Sequence, residues 1–365
     1  METVEIDGSR LFGGIYSGRR VLVTGHTGFK GSWLSLWLSM LGATVFGYAL
    51  PPVSDEGNFT LCGLKDSVTD LRGDVRDKKR LKGIFETFQP EIVFHLAAQP
   101  IVRLSYERPE ETFETNVMGT VNVLENVRAC RSVIAAVVIT SDKCYENREQ
   151  LWGYRETDAL GGFDPYSASK GCQEIVASSY ARSFRLPVAS ARAGNVIGGG
   201  DWSRDRIVPD CIRALREGKP VPVRNPGAVR PWQFGLEPLY GYLTLARKLA
   251  LNPEKYVGAW NFGPEFDSAV SVREIVESVI GLWGSGEWQD LSGGSAVHEA
   301  GVLRLDCTKA KSLLGWRPRL SLGEALERTV EWYKNCRDGG AAGICRRQIA
   351  EYCAAAEEQS RDMKG

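Results

Sequence analysis

The sequence has little of what metal sites and covalent cross-links need. It contains three histidines, and its nine cysteines are scattered without a single C-x-x-C pair. Zinc sites usually draw on closely spaced cysteine and histidine ligands, so we predict no metal site. An odd number of dispersed cysteines in a long chain argues against a disulfide framework. It favours reduced, mostly packed thiols in the cytoplasm.

Net charge and long apolar runs are also lacking. The 45 lysines and arginines balance the 45 acidic residues, so no overall positive field attracts nucleic acid or an anionic membrane. No apolar run approaches the roughly 20 residues of a membrane-spanning helix. The first ten residues, METVEIDGSR, are acidic and polar, and we expect neither a signal peptide nor a transit segment. We predict a cytoplasmic protein without nucleic-acid or membrane partners.

An apolar strand, a glycine-rich turn and an apolar helix follow one another near the start of the chain. The turn GHTGFKG at 25–31 carries Gly25, Gly28 and Gly31 at a spacing of three, and the helix follows at 32–41. Such a turn lets the backbone approach a pyrophosphate closely, and the unpaired N–H groups at the helix start point towards it. The pattern predicts a dinucleotide-binding site rather than a mere connecting turn.

Short apolar strands alternate with helices through the first half of the sequence. The predicted strand 91–98, EIVFHLAA, is nearly all apolar, which is typical of a parallel strand buried on both faces. The alternation predicts an α/β fold with a Rossmann-type, doubly wound parallel sheet and a smaller C-terminal α/β substrate-binding domain. We place the NAD-binding domain with the catalytic residues at 1–194, a mainly substrate-binding domain at 195–337, and a helical or flexible tail at 338–365.

The pattern predicts one continuous helix over 109–131. The stretch 220–231 is rich in Pro and Arg and contains Arg224 and Arg230. Around 284–301 the chain is rich in Gly, Ser and Trp, and we expect a loop with one short strand there.

Tyr166 and Lys170 lie four residues apart at the start of the predicted helix 165–185. That spacing puts both side chains on one helical face. A lysine ammonium beside a phenol favours the phenolate and lowers the tyrosine pKa, which suits a base that takes a proton from a sugar hydroxyl. The preceding strand ends on Thr140 and Ser141, whose hydroxyls can bind the same oxygen. Without that strand, an exposed Tyr–Lys pair would be the simpler interpretation.

At this point the chain resembles the extended short-chain dehydrogenase/reductase family. The resemblance covers about residues 19–336 and includes the glycine turn, Asp74-Val75, His95-Leu96-Ala97-Ala98, Asn116, Ser141, Tyr166 and Lys170. Within the family the chain is most similar to the CDP-glucose 4,6-dehydratases, in GHTGFKGSWL (25–34), HLAAQP (95–100), TSDKCY (140–145), DPYSASKG (164–171), ARAGNVIGGGDW (191–202), RPWQ (230–233) and GWRP (315–318). The resemblance implies NAD as cofactor, CDP-glucose or a related nucleotide sugar as substrate, and a homodimer or tetramer.

The resemblance also implies the residues that contact the cofactor. They are Gly25, Thr27, Gly28, Phe29, Lys30, Gly31, Asp74, Val75, Leu96, Ala97, Ala98, Gln99, Asn116, Thr140, Tyr166 and Lys170. Asp74 can accept from the adenine amino group, or it can simply cap the end of a strand. Strand two ends in Gly47-Tyr48-Ala49, without the acidic residue that normally holds the ribose 2′-OH. Arg72 and Lys30 therefore keep NADP as an alternative, and we favour NAD because the proposed cycle regenerates its cofactor.

Asp142 and Lys143 decide which reaction we predict. The catalytic set implied by the resemblance is Ser141, Asp142, Lys143, Tyr166 and Lys170. Oxidation at sugar C4 acidifies the C5 proton, a base removes it, an acid protonates the departing C6 hydroxyl, and hydride returns to C6. Asp142 is the acid and Lys143 the candidate base, where many nucleotide-sugar dehydratases carry Glu. A lysine of ordinary pKa, ~10.4, is mostly protonated at neutral pH. Another base, or a plain Asp–Lys salt bridge, therefore stays open.

Arg103, Asn195, Arg206, Arg230 and Trp232 are the predicted substrate residues. The resemblance implies that Asn195 and Arg230 bind the diphosphate, because arginine matches phosphate bidentately. Arg206 and Arg224 are weaker candidates. Trp232 can flank the base or sugar, or belong to the core. The competing hypotheses are a dehydratase for another nucleotide hexose, a nucleotide-sugar 4-epimerase and a non-catalytic dinucleotide sensor.

Overall fold

The computed structural model describes residues 11–265, 268–292 and 303–362. The strands in these segments are β1 (Arg20–Thr24), β2 (Thr44–Ala49), β3 (Thr69–Arg72), β4 (Ile92–His95), β5 (Ala135–Ile139), β6 (Val188–Ala193), β7 (Asn195–Ile197), β8 (Val221–Val223), β9 (Val229–Phe234), β10 (Gly258–Phe262), β11 (Ala269–Ser271) and β12 (Trp288–Asp290).

The α-helices are α1 (Phe29–Met40), α2 (Asn58–Leu61), α3 (Lys78–Phe88), α4 (Val102–Glu107), α5 (Pro109–Phe113), α6 (Gly119–Ala129), α7 (Pro165–Phe184), α8 (Ile207–Arg216), α9 (Leu236–Leu251), α10 (Pro253–Tyr256), α11 (Val272–Trp283), α12 (Leu322–Asn335) and α13 (Gly340–Asp362). Short 3₁₀ turns lie at Leu64–Asp66 and Asp142–Cys144, and π-helical turns lie at Glu114–Met118 and Ala310–Leu314.

Seven strands form the central sheet in the order β10-β6-β5-β4-β1-β2-β3, and every neighbouring pair is parallel. Alternate residues of β1 face two separate cores: Val21 and Val23 pack on one face of the sheet and Leu22 on the other. Helices α1 and α9 cover the first face, while α3, α6 and α7 cover the second. The predicted doubly wound parallel sheet is therefore confirmed. Its strands are apolar on both faces, and such strands can be buried only between two helical layers.

The second half of the chain adds small sheets that the sequence did not indicate. Strand β9 pairs in parallel with β7 and antiparallel with β11, and β8 pairs with β12. The Pro- and Arg-rich stretch 220–231 contains β8 and the start of β9, two strands that were not predicted. Strand β10 belongs to the central sheet although it lies within 195–337. The short strand expected at 284–301 is β12, and residues 293–302 lie outside the described segments.

The helix predicted over 109–131 is one run of helical turns that contains a π-helical turn between α5 and α6. Pro109 occupies the first turn of α5, where its missing N–H costs nothing. The π-helical turn at Glu114–Met118 then inserts one wide turn before α6, which ends at Ala129. Helix α4 before it was not predicted.

The tail is helical in the described residues. Helix α13 packs on α1 through Tyr352, whose ring meets Trp37 edge-on at 5.8 Å between centroids. The Tyr352 hydroxyl donates to buried Glu237 at 2.6 Å. None of the helices in the described segments is both long and apolar enough to span a bilayer.

Candidate active site

The glycine turn packs more closely than any other residue type would allow. Gly25 has φ +77°, and a Cβ there would lie 2.7 Å from the Ala97 amide nitrogen. A Cβ on Gly31 would lie 2.1 Å from the Gly25 carbonyl oxygen. Gly28 precedes α1 without a side-chain cap, and the first turn of α1 has no acidic residue. The N–H groups at the start of α1 are thus left for an anion, so the turn fits a dinucleotide diphosphate.

A histidine packs against the neighbouring strand β2, which carries no acidic residue at its end. The buried His26 ring lies over Gly47, where a Cβ would come within 2.2 Å of it, and its Nε2 pairs with Asp70 at 2.8 Å. Arg72 donates to Asp70 at 2.7 Å and to the Leu50 carbonyl at 3.2 Å. Both charged residues of β3, Asp70 and Arg72, are therefore engaged within the protein. Thr27 also donates to the Leu50 carbonyl, at 2.9 Å.

Asp74 and Val75 lie beyond the end of β3. The Asp74 carboxylate accepts from the Arg76 amide at 2.8 Å and from the Arg76 guanidinium at 2.7 Å. Burial alone would raise the pKa of Asp74, but the hydrogen bonds from Arg76 lower it overall. Val75 is buried against Gly119, where a Cβ would lie 2.8 Å from it. The side chain of Asp74 acts in this structure as a local turn cap.

The segment after β4 is fixed by Asn116 from the π-helical turn. The Asn116 side chain accepts from the Gln99 amide at 2.8 Å, donates to the Gln99 carbonyl at 3.1 Å and donates to Ser169 at 2.8 Å. The Gln99 side chain donates to Thr112 and accepts from the Ile101 amide. Asn116 thus links the strand end that carries Leu96, Ala97 and Ala98 to α7, one residue before Lys170.

A cavity of about 880 Å³ opens at the carboxyl ends of β1, β4 and β5. The predicted site residues that line it are Phe29, Lys30, Leu96, Ala98, Arg103, Thr140, Ser141, Asp142, Lys143, Tyr166, Lys170, Asn195, Arg206, Arg230 and Trp232. The predicted residues outside its lining are Gly25, Thr27, Gly28, Gly31, Asp74, Val75, Ala97, Gln99 and Asn116. Ligands of open α/β sheets bind at this edge.

Tyr166 and Lys170 lie on the same face of α7, with the Lys170 Nζ 5.8 Å from the centre of the Tyr166 ring. Burial raises the pKa of Tyr166 to about 12, although a hydrogen bond with Ser141 opposes the shift. Burial, with the charge of Lys30, lowers the pKa of Lys170 to about 7. The Lys170 ammonium donates to the Ile139 carbonyl at 3.4 Å. The pair is therefore buried in the cavity wall and not on a solvated helix surface.

Asp142 is only 5% exposed and lies directly above Gly194, where a Cβ would come within 3.0 Å of its carboxylate. Burial raises its pKa, although Lys143 and a hydrogen bond from Ser141 oppose the shift. The Ser141 hydroxyl donates to Asp142 at 2.9 Å. A carboxyl group that favours its protonated form suits a proton donor. We call Ser141, Asp142, Tyr166 and Lys170 the catalytic wall.

A buried ion pair behind the catalytic wall was missed by the sequence analysis. Glu174 and Arg192 pair at 2.7 Å, and each side chain is at most 3% exposed. Glu174 also accepts from the Thr140 and Ser190 hydroxyls, so the Thr140 side chain is used internally although its residue lines the cavity. Arg192 donates to the Tyr145 hydroxyl at 2.6 Å. The spacing of Lys170 and Glu174, one helical turn, was the available signal.

The second half of the chain contributes further residues to the lining of the cavity. Asn195 lies opposite Trp232 in the β7–β9 pairing, which brings these two predicted residues together. Arg206 donates to buried Asp201 at 2.8 Å, and this bond and the Asp201 charge raise the pKa of Arg206. Arg230 lines the same side, and its charge acts on Asp142. We call Arg103, Arg206, Arg224 and Arg230 the arginine wall.

Neither histidine of the described residues, His26 or His95, lines the cavity. Buried His95 is hydrogen-bonded to Thr24 at 2.7 Å and to Thr120 at 3.0 Å, and burial lowers its pKa to about 3. His298 lies outside the described residues. Among the described residues, no three His, Cys, Asp or Glu side chains come together as a metal-binding group.

Comparison with known proteins gives consistent matches. Residues 21–257 match the model of the NAD dependent epimerase/dehydratase family. The chain is 50% identical over 350 residues to the CDP-glucose 4,6-dehydratase of Salmonella typhimurium, with 93% of this chain and 98% of that protein covered. It is 27% identical to a probable dTDP-glucose 4,6-dehydratase of Sinorhizobium fredii, with 86% and 92% covered. The solved UDP-glucose 4-epimerase of Thermus thermophilus, in complex with NAD, is 26% identical with a TM-score of 0.73, with 86% and 99% covered.

Proposed function

The chain belongs to the NAD-dependent epimerase/dehydratase family, and we propose that within it the protein is a hydro-lyase acting on CDP-glucose. It converts CDP-D-glucose to CDP-4-dehydro-6-deoxy-D-glucose and water with tightly bound NAD. The observation that carries the proposal is the buried Asp142 carboxyl with its raised pKa, joined to Ser141 beside Tyr166. A 4-epimerase needs the hydroxyl, tyrosine and lysine but no such acid.

The residues of the turn fit the cofactor. Gly25, Gly28 and Gly31 would hold its diphosphate, and Leu96 and Ala98 line the cavity next to them. A nicotinamide cofactor held there would supply the hydride chemistry that the conversion needs at C4 and C6 of the sugar. The protein supplies the proton transfers: Tyr166 takes the proton of the C4 hydroxyl, Ser141 binds the same oxygen, and Lys170 lies beside the Tyr166 ring at 5.8 Å. The expected lowering of the Tyr166 pKa by Lys170 is not observed in the ligand-free protein, because burial raises that pKa.

Elimination needs one more acid and one base. Asp142 donates its proton to the departing C6 hydroxyl, since burial keeps the carboxyl protonated to higher pH. For the C5 proton we propose Lys143, which lines the cavity beside Asp142. Replacing Lys143 by Ala should leave C4 oxidation intact and stall the elimination. If product still forms at a normal rate, the base is another group.

The choice of cytidine rests on the 50% identity to the Salmonella CDP-glucose enzyme, against 27% to the dTDP-glucose relative. We propose that the arginine wall and Asn195 bind the diphosphate. The test is incubation with CDP-, dTDP-, GDP- and UDP-glucose, with products identified by mass spectrometry. We expect the 4-keto-6-deoxy sugar from CDP-glucose at the highest kcat/KM. A 4-epimer, a preference for another nucleotide, or bound NAD without any turnover would each refute the proposal.

We also propose that two copies of the chain associate through α7 and the helical run 109–129, which comprises α5, the π-helical turn Glu114–Met118 and α6. The exposed apolar side chains there are Phe113, Met118, Ile175 and Phe184, between 37% and 59% exposed. Light scattering should report a dimer for the wild type and a monomer for Ile175→Glu. The matched variant Leu251→Glu, at a 67% exposed leucine at the end of α9, should stay dimeric. A monomeric wild type, or an unchanged Ile175→Glu, would contradict the assignment.

The proposed location is the cytoplasm. All nine cysteines are free, and seven of them are buried. Thiols persist in this state where the surroundings are reducing. Detection of the protein in the cytoplasmic fraction of its host would test this.

A further inference from the structure

Asp205 connects two members of the arginine wall. Its carboxylate Oδ1 accepts from the Arg224 Nη1 at 2.9 Å and lies 3.8 Å from the Arg103 Nε. Arg103 comes from α4 and Arg224 follows β8, so the two guanidinium groups reach one place from distant parts of the chain. All three residues line the active-site cavity. A single carboxylate thus offsets the repulsion of two like charges.

The second acid on this side of the cavity is held in a different way. Asp201 is 4% exposed, and its carboxylate accepts from the Ser203 amide and from Arg206. The Asp205 side chain is 34% exposed, and its backbone has φ +60°, in the left-handed region that non-glycine residues rarely adopt. Asp201 is therefore part of the framework, whereas the Asp205 carboxylate borders the open cavity and can move into solvent at little cost.

We propose that Asp205 occupies, in the ligand-free protein, the position of one phosphate of the substrate, and that the diphosphate displaces it. The inference rests on the proposed function, because it takes a nucleotide sugar as the ligand of the arginine wall. Guanidinium groups bind carboxylate and phosphate with the same paired N–H donors. Two anions cannot share Arg103 and Arg224 in a partly buried cavity, because their mutual repulsion is poorly screened there. Asp205 therefore competes with a phosphate for Arg103 and Arg224 and weakens the binding of ligands that carry a phosphate.

The test is binding of CDP and of cytidine, measured by titration calorimetry on the wild type and on Asp205→Asn. Asn has nearly the same size as Asp and also tolerates the left-handed backbone. We expect the Kd of CDP to fall about fivefold, as for loss of one partly exposed ionic contact. The Kd of cytidine, which has no phosphate, should not change. Asp205→Gly, which also accommodates φ +60°, should behave like Asp205→Asn.

Asp338→Asn is the matched control, because Asp338 is another exposed aspartate with a left-handed backbone, φ +54°. It should bind CDP as the wild type does. Unchanged or weaker CDP binding by Asp205→Asn and Asp205→Gly would overturn the proposal and make Asp205 a residue that only aligns the arginines. UDP and dTDP are titrated in parallel. If UDP or dTDP binds and CDP does not, the proposed substrate is wrong. The effect of Asp205 is then measured with the nucleotide that binds.

Discussion

On the catalytic wall of the cavity, Ser141, Tyr166 and Lys170 are exposed by 7%, 8% and 3%. On the arginine wall, the side chains of Arg103 and Arg206 are 34% and 36% exposed. The first group lies on a central strand end and a long helix, fixed by backbone geometry and buried hydrogen bonds. The second lies on loops and short elements, fixed by ion pairs. We infer that the first wall performs the chemistry and that the second adapts to the substrate.

The largest effect should come from the centre of the catalytic wall. Tyr166→Phe removes only the hydroxyl that takes the C4 proton, and we expect kcat to fall about 10³-fold. The NAD content of the purified protein should not change, because the ring still fills its place. Tyr180→Phe is the control on the same helix, since its hydroxyl donates to Glu125 at 2.7 Å, away from the cavity. A Tyr166→Phe variant with near wild-type kcat would contradict the inference that the catalytic wall performs the chemistry.

Asp142→Asn should separate the two halves of the reaction. The amide keeps the size of the carboxyl but cannot donate an acidic proton, so we expect kcat to fall about 10²-fold. Reduced nicotinamide should then accumulate on mixing with CDP-glucose, visible by its absorbance in a stopped-flow experiment. In the wild type, kcat should decrease as the pH rises through the raised pKa of Asp142. Loss of C4 oxidation itself would show that Asp142 acts earlier than we propose.

The pH dependence of the free energy of unfolding tests whether Lys170 is buried in the catalytic wall. In the folded protein its pKa is lowered to about 7, while the unfolded chain holds the proton to about 10.5. Between these two pKa values the unfolded state binds more protons than the folded state does. The contribution of Lys170 to the free energy of unfolding therefore increases as the pH rises. Relative to Lys170→Met, the free energy of unfolding of the wild type should increase by about 1 kcal/mol per pH unit from pH 7 to 9. Urea denaturation at several pH values measures the difference; a constant difference would mean that Lys170 titrates normally.

The smallest effect should come from the arginine wall. Arg206→Lys keeps the charge but loses the planar guanidinium group that donates to Asp201 and that we propose also binds a phosphate. We expect KM for CDP-glucose to rise about tenfold, with kcat within about threefold of the wild type. Steady-state kinetics decides this. A fall in kcat with an unchanged KM would assign Arg206 to the chemistry.

The sequence revealed the catalytic wall better than the arginine wall, for a physical reason. Regular elements impose fixed spacings, so Tyr166 and Lys170 could be assigned to one helical face, and the glycine turn to a strand–helix junction. The register of Asn195 against Trp232 depends on strands too short to leave a pattern. The contact of Asp205 with Arg103 joins a turn residue to a short helix about a hundred positions earlier in the chain. Ion pairs of that kind leave no local signal.

The most direct test of the account is the fate of the C4 hydrogen of the substrate. CDP-glucose carrying deuterium at C4 is incubated with the enzyme in ordinary water, and the product is examined by mass spectrometry and proton NMR. If the enzyme oxidises C4 and eliminates water before the hydride is returned to C6, the deuterium will be found in the C6 methyl group of the 4-keto sugar. Deuterium retained at C4 of a 4-epimer would contradict the account and make the protein an epimerase.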